Sequence, residues 1–381
     1  MIYLDNAATT YPKPQAVGKA YMQALTRYSA NPGRSGHKMS QATAEKIYEC
    51  RKNVADFFGS SHPEHVVFTL NCTQAINYVL KGLLKQGARV VTSSFEHNAV
   101  MRPLNEMARR EKVLYEAAAV SLTNPDETFR AFEGAVIKGT AAVVVTHASN
   151  VCGIRLPIEK IGRLCRERGV PLIVDAAQSA GIFPIDMEKM HIDYLCVAAH
   201  KGLYAPMGNG ILIADGKPLS TIIEGGTGTA SIDFNQPSEL PERFESGTVN
   251  APGIIALAAG LEFVKSKGTE NIYRHEIGLI RYLYKKLQKI EGVKFYHALP
   301  EEQRFAPVLS FNVGEQSSVR TAAMLDRADI AVRAGLHCAP TAHRILGTIE
   351  QGTVRICPSA FTSYADMDRT AAAVEQIAKK V

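Results

Sequence analysis

Two hydrophobic periodicities alternate through the first half of the chain. Between Ser40 and Phe58, apolar residues fall at helical spacing (Ala44, Ile47, Val54, Phe57), which predicts a helix with Ser40 as its N-cap and Gly59 as its stop. An extended run, Val66–Thr69, follows, and then a helical stretch from Gln74 to Lys85 carrying Ile76, Val79, Leu80 and Leu83. Further strands are expected near Arg89–Thr92, Val113–Ala117, Ala141–Thr146, Pro171–Val174, Tyr194–Ala198 and Gly210–Ile213. Helices are expected between them at Asn98–Lys112 and Ile158–Arg168. Val143-Val144-Val145 and Leu172-Ile173-Val174 are continuous β-branched or aliphatic runs, as in strands buried on both faces of a mostly parallel sheet. The pattern predicts an α/β fold, whose ligands lie beyond the carboxyl ends of the strands.

The texture changes at Asn250-Ala251-Pro252-Gly253. A long helical region is followed by short strands at Val293–Tyr296 and Val308–Asn312, a helix near Ser318–Arg327, strands at Ile330–Arg333 and Thr353–Ile356, and a closing helix from Ala365 to Lys380. We therefore expect an N-terminal arm (1–14), a large α/β domain (15–250) and a smaller α+β domain (251–381). With 46% hydrophobic and 21% charged residues the chain can bury a substantial core without disulfides or metals, and no metal site is expected. The net charge of +6 is dispersed, which argues against nucleic acid or a membrane surface as partner. Neither a signal sequence nor an apolar run approaching ~18 residues is visible. The seven cysteines form no CxxC pair and no regular framework, so reduced thiols in the cytoplasm are expected, one of them reactive.

Candidate chemistry sits just after strands. Asp175 ends the apolar run Leu172–Val174, where burial would raise its pKa unless a cation or donors met it, although a helix-capping acid fits the same position. His200-Lys201 follows the strand Tyr194–Ala198; such a pair alone is usually a solvated loop. Together they suit a pyridoxal phosphate enzyme, which needs a lysine to hold an aldehyde and an acid to keep a pyridine nitrogen protonated. The turn Asn71-Cys72-Thr73 leads into a helix whose N-terminus suits a phosphate, with simple capping by Thr73 as the alternative.

With these residues in place, the chain resembles the pyridoxal phosphate-dependent class V aminotransferase family and, within it, the cysteine desulfurases. The resemblance runs from Tyr3-Leu4-Asp5-Asn6-Ala7-Ala8-Thr9-Thr10 to Thr353-Val354-Arg355. Its most specific stretches are Val174-Asp175-Ala176-Ala177-Gln178, His200-Lys201 and Arg333-Ala334-Gly335-Leu336-His337-Cys338-Ala339. It implies fold type I, with Lys201 as Schiff-base lysine and catalytic base, Asp175 on the pyridine nitrogen and Gln178 on the ring hydroxyl. His97 would stack on the ring and move protons, and Asn150 would lie beside cofactor and substrate. Cys72, Thr73 and His200 would hold the phosphate, joined by Thr248 reaching across a homodimer. Arg355 would grip the substrate carboxylate. Cys338, on a short loop, would take sulfur from L-cysteine as a persulfide, leave L-alanine, and pass the sulfur to an acceptor protein. The alternatives are a selenocysteine lyase acting on L-selenocysteine, a cysteine-conjugate lyase, or an aminotransferase or epimerase on the same scaffold. Two positions depart from the family pattern: Ala198 stands where many relatives have serine, and Cys72 where a small polar residue is usual.

Overall fold

The computed structural model describes residues 1–33, 36–229 and 231–380. The chain opens with a two-residue strand, β1 (Ile2–Tyr3), and helices Gln15–Arg27 and Lys38–Phe58. Seven strands then build the main sheet: β2 (Val66–Thr69), β3 (Arg89–Ser93), β4 (Leu114–Ala118), β5 (Thr140–Thr146), β6 (Leu172–Asp175), β7 (Tyr194–Ala198) and β8 (Gly210–Ala214). Their spatial order is β2-β8-β7-β6-β5-β3-β4, with every pairing parallel except those of β8 to its two neighbours. The expected mostly parallel sheet is present, and β6, β7 and β8 are buried along their whole length.

Beyond residue 250, helices Ala251–Lys267 and Thr269–Leu287 precede β9 (Val293–Phe295) and β10 (Leu309–Val313). The chain continues through β11 (Ile330–Ala331), β12 (Arg333–Gly335) and β13 (Thr353–Ile356) to a closing helix, Tyr364–Ala378. The second sheet is antiparallel, in the order β12-β13-β10-β9. The single strand expected over Ile330–Arg333 is two: β11 pairs in parallel with β1, and after Val332 the chain joins the second sheet as β12. The N-terminus is thereby stitched to an element that follows it by more than three hundred residues.

Local chemistry accounts for most boundaries. The helix Lys38–Phe58 ends at Gly59, whose φ of 67° is a left-handed cap conformation. Its N-cap is His37 rather than Ser40, because Ser40 N–H donates to His37 Nδ1 (3.2 Å) while the Ser40 hydroxyl donates to the Asn31 carbonyl (2.7 Å). At the foot of β8, a Cβ on Gly210 would lie 2.3 Å from the Asn71 carbonyl carbon, so glycine is required for the turn before the next helix to approach.

A buried ion pair joins the helix Lys38–Phe58 to the segment Arg243–Thr248. Arg51 and Glu245, 7% and 9% exposed, meet through two 2.9 Å bonds, and Glu245 also accepts from Phe68 N–H at 2.7 Å. Removing one member strands a buried charge. Glu245→Ala is expected to lose about 3–5 kcal/mol, read from the urea unfolding midpoint, and Glu245→Gln distinctly less.

Candidate functional site

Parallel strands deliver their carboxyl ends to one edge of the sheet. Thr146 of β5 pairs with Asp175 of β6, and Asp175 with Cys196 of β7. β2 runs parallel to β7 through the intervening β8, so Thr69 and Ala198 both face Gly210. The segments that follow these strands line a cleft of about 110 Å³ containing Cys72, Thr73, His97, Asn150, Asp175, Gln178, His200 and Lys201. Eight residues singled out in the sequence are thus brought together.

Asp175 is buried, and its Oδ1 accepts from Ala177 N–H (2.9 Å) and from the Cys72 thiol (3.6 Å). Burial pushes the Cys72 thiol well above its usual range, and the Asp175 charge adds to the effect, so it stays protonated. Burial likewise lowers the Lys201 amine, with Asp175 opposing, and no described residue accepts a hydrogen bond from it. His97 caps the helix Asn98–Glu111, where Ala99 N–H donates to its Nδ1 (3.0 Å). The ring proton therefore sits on Nε2, and burial lowers the pKa, keeping the imidazole neutral.

The helix Cys72–Leu83 is capped by Asn71, not Thr73: Gln74 N–H donates to Asn71 Oδ1 (2.9 Å), and Leu70 N–H donates to Gln74 Oε1 (2.7 Å). The first two N–H groups, those of Cys72 and Thr73, have no intrahelical acceptor and lie beside the cleft. His200 is pushed down to about 4, first by burial and then by Lys201 and Lys13, and its Nδ1 is buried without a partner. Gln178 lines the cleft, and its Nε2 donates to the Ala7 carbonyl at 2.9 Å.

Three predicted residues stand outside the cleft lining. Arg355, in β13, is buried and donates to the Asn150 carbonyl (3.1 Å) and to Asp5 (2.7 Å). Cys338 is exposed, on a turn tied to the cleft wall: Asn98 N–H donates to the Cys338 carbonyl (2.7 Å) and Asn150 Nδ2 to the His337 carbonyl (2.6 Å). Thr248 is exposed, with its hydroxyl accepting from Asn31 Nδ2 at 3.4 Å.

Sequence reasoning passed over the arm residues that hold this site. Thr9 and Thr10 hydroxyls, Thr10 N–H and Lys13 Nζ all donate to the His200 carbonyl at 2.7–3.2 Å. It also passed over Glu96, whose Oε1 accepts from Ser93 Oγ and from Thr146 N–H (2.8 Å), joining the ends of β3 and β5 beneath His97. A fully buried acid between two strand ends shows no periodicity to find; its only signal is adjacency to His97. At the opposite edge of the sheet, His62, Glu64 and His65 bring potential ligand atoms within 4.8 Å of one another, paired as His62–Glu64 and His65–Asp215.

The architecture is that of an α/β protein with a half-buried lysine, a buried aspartate and a helix N-terminus with two unspent N–H groups gathered at the carboxyl edge of its sheet. The family model for class-V aminotransferases matches residues 2–369, and the chain belongs to that family. It is similar to a probable cysteine desulfurase of Pyrococcus abyssi, 32% identical over all of this chain and 95% of the relative. A probable cysteine desulfurase of Synechocystis is also 32% identical, over 91% of this chain and 84% of its own length. Among solved structures, the apo cysteine desulfurase of Thermococcus onnurineus superposes with a TM-score of 0.90 at 33% identity, covering 100% of this chain and 95% of that one. The fold type I expectation is met.

Burial raises Glu96 from 4.5 to about 8, so the folded state holds its proton through neutral pH. A raised folded pKa contributes stability that is complete below the unfolded value of 4.5 and lost as pH rises through about 8. Glu96→Gln keeps the acceptor oxygen and cannot ionise. Thermal melts should show the variant's Tm falling less than wild type between pH 6 and pH 9.

Proposed function

We propose that the protein is a cysteine desulfurase that converts L-cysteine to L-alanine and leaves the sulfur on Cys338 as a persulfide. The observation that carries this reading is the pinning of the Cys338 turn, through Asn98 and Asn150, to the cleft that holds Lys201 and Asp175.

The residues fit pyridoxal 5'-phosphate. A lysine amine without a hydrogen-bond acceptor, a buried carboxylate, two unspent helix N–H groups and the unpartnered Nδ1 of His200 are the donors and acceptors that group needs. Lys201 would hold it covalently, Asp175 would pair with its pyridine nitrogen, and His97 would stack on its ring. Cys72, Thr73 and His200 would hold its phosphate, with Thr248 of a second copy completing the set. When bound, the cofactor supplies an electron sink for the pair released at the substrate Cα.

The chain's own groups do the rest. Arg355 takes the substrate carboxylate, a planar fork-to-fork task, with Asn150 beside it. The lowered pKa of Lys201 makes its amine available to take the Cα proton. His97 holds a proton at Nε2, within the same cleft, and can exchange it as sulfur leaves. The Cys338 thiolate attacks the substrate sulfur: an S–S bond forms as the Cβ–S bond breaks. Sulfur is oxidised as Cβ is reduced, and cysteine plus thiol gives alanine plus persulfide without an external oxidant. Exposure of Cys338 leaves the persulfide open to a sulfur-acceptor protein.

The arm, large domain and small domain divided at residues 14 and 250 are part of the same proposal, as is a homodimer. Thr248 is exposed, and Ile232 and Phe234 of the same region are almost wholly so, as a dimer interface requires. A cytoplasmic location accords with seven unpaired thiols. Among the described residues no helix is long and apolar enough to cross a membrane.

Incubation with L-cysteine should yield alanine, and mass analysis should find one added sulfur on the Cys338 peptide. Cys338→Ala should lower alanine formation at least about a hundredfold, as expected on removing a nucleophile. Lys201→Ala should abolish the yellow colour of the holoenzyme. Absence of alanine would sink the proposal; an undiminished rate in Cys338→Ala would transfer it to a lyase.

A further inference from the structure

The guanidinium assigned to the substrate carboxylate already holds a carboxylate from its own chain. The Arg355 side chain is 1% exposed. Nη2 donates to Asp5 Oδ1 at 2.7 Å and Nη1 to the Asn150 carbonyl at 3.1 Å, while Nε is buried with no partner. Asp5 is held from both sides. Cys357 N–H donates to the Leu4 carbonyl (2.7 Å), and Asn6 N–H (3.3 Å) and Nδ2 (2.9 Å) donate to the Cys357 carbonyl. The residues flanking Asp5 are thus bonded to the chain two positions beyond Arg355. Only one Asp5 oxygen bonds the guanidinium, which has five N–H groups in a fixed fork, and the Nε–H is among those unspent. The guanidinium therefore has N–H groups left for a second carboxylate without giving up Asp5.

We propose that Asp5 is a resident counterion that positions Arg355 between turnovers and weakens its hold on an α-carboxylate, so that the amino-acid product leaves. The proposal rests on the assignment of Arg355 to the substrate carboxylate. Two carboxylates on one guanidinium repel each other, and Asp5 is only 22% exposed, so solvent screens the repulsion incompletely. Substrate and product carry the same α-carboxylate. A grip freed of Asp5 would tighten on both, lowering KM without raising turnover and slowing release.

In the holoenzyme, Asp5→Asn keeps an oxygen acceptor for Nη2 and removes the charge. The Kd for L-alanine by calorimetry and the KM for L-cysteine should both fall about tenfold, with kcat unchanged or lower. A Kd that is unchanged or raised overturns the proposal, since a merely anchoring Asp5 would loosen Arg355 once its charge is gone. Asp5→Ser, a smaller neutral acceptor, gives the same comparison if the amide is not accommodated in the arm. Arg355→Gln separates the two ideas. It should abolish L-alanine binding; if the Kd is unaffected, the carboxylate assignment fails, whereas tightening absent only in the Asp5 variants defeats the counterion alone.

Discussion

The carbonyl of His200 is where the two halves of the site are tied together. It accepts from Thr9, Thr10 and Lys13, all on the N-terminal arm, while the Thr10 hydroxyl also reaches the Lys201 carbonyl at 3.1 Å. The same arm pairs as β1 with β11, bonds Cys357 through Asn6, takes Gln178 on the Ala7 carbonyl and presents Asp5 to Arg355. One extended segment therefore fixes the peptide bearing the lysine and the arginine across from it. Lys13 shows how closely this clip is packed: burial lowers its pKa to about 8, yet its amine keeps two acceptors, Thr10 Oγ1 at 2.6 Å and the His200 carbonyl at 2.7 Å.

Desolvation sets the charge states around that clip. Lys201, His97 and His200 are all shifted toward their neutral forms by burial before any charged neighbour acts. Asp175 opposes the shift at Lys201 and His97, whereas Arg355 and Arg333 reinforce it at both. A site built this way shifts the amine and the imidazole toward the neutral forms that can accept a proton. Cys72 fits the same logic. Where a polar side chain would add a donor, a thiol held protonated beside Asp175 leaves the helix N–H groups to serve the anion.

The strands and the residues after them were legible because β-branched runs such as Val143-Val144-Val145 admit little but a buried strand, and parallel strands put their carboxyl ends together. Tyr194–Ala198, Thr353–Ile356 and the helix Ile158–Arg168 match their expected limits, and most other boundaries fall within two residues. Illegible features depend on partners remote in sequence. No local pattern announces that alternation through Ile330–Arg333 conceals a change of sheet, or that a two-residue strand at Ile2 will find Ile330. Caps misled where an unusual group served, as with the His37 ring in place of Ser40, and where a nearer asparagine preempted Thr73. Asp5 stood in a recognisable motif, but its role emerges only when β13 brings Arg355 beside it.

The Cys338 turn shows why such remote contacts matter to chemistry. His337 and Cys338 are consecutive non-glycine residues in the left-handed region, with φ of 49° and 58°, and each such position costs on the order of 1–3 kcal/mol. That conformation persists because the surrounding structure specifies it. The His337 ring is buried and driven down to about 2, chiefly by burial, so it stays neutral and its Nε2–H donates to Thr353, 3.1 Å from both the carbonyl and the hydroxyl. Asn150 and Asn98 fasten the two carbonyls of the turn from the opposite side. The backbone is thus held by Asn98 and Asn150 on one side and by Thr353 of β13 on the other, while the thiol remains exposed. A thiol mounted on so short a tether cannot sweep to a distant partner. Under the proposed function, the acceptor must come to the mouth of the cleft to collect the sulfur.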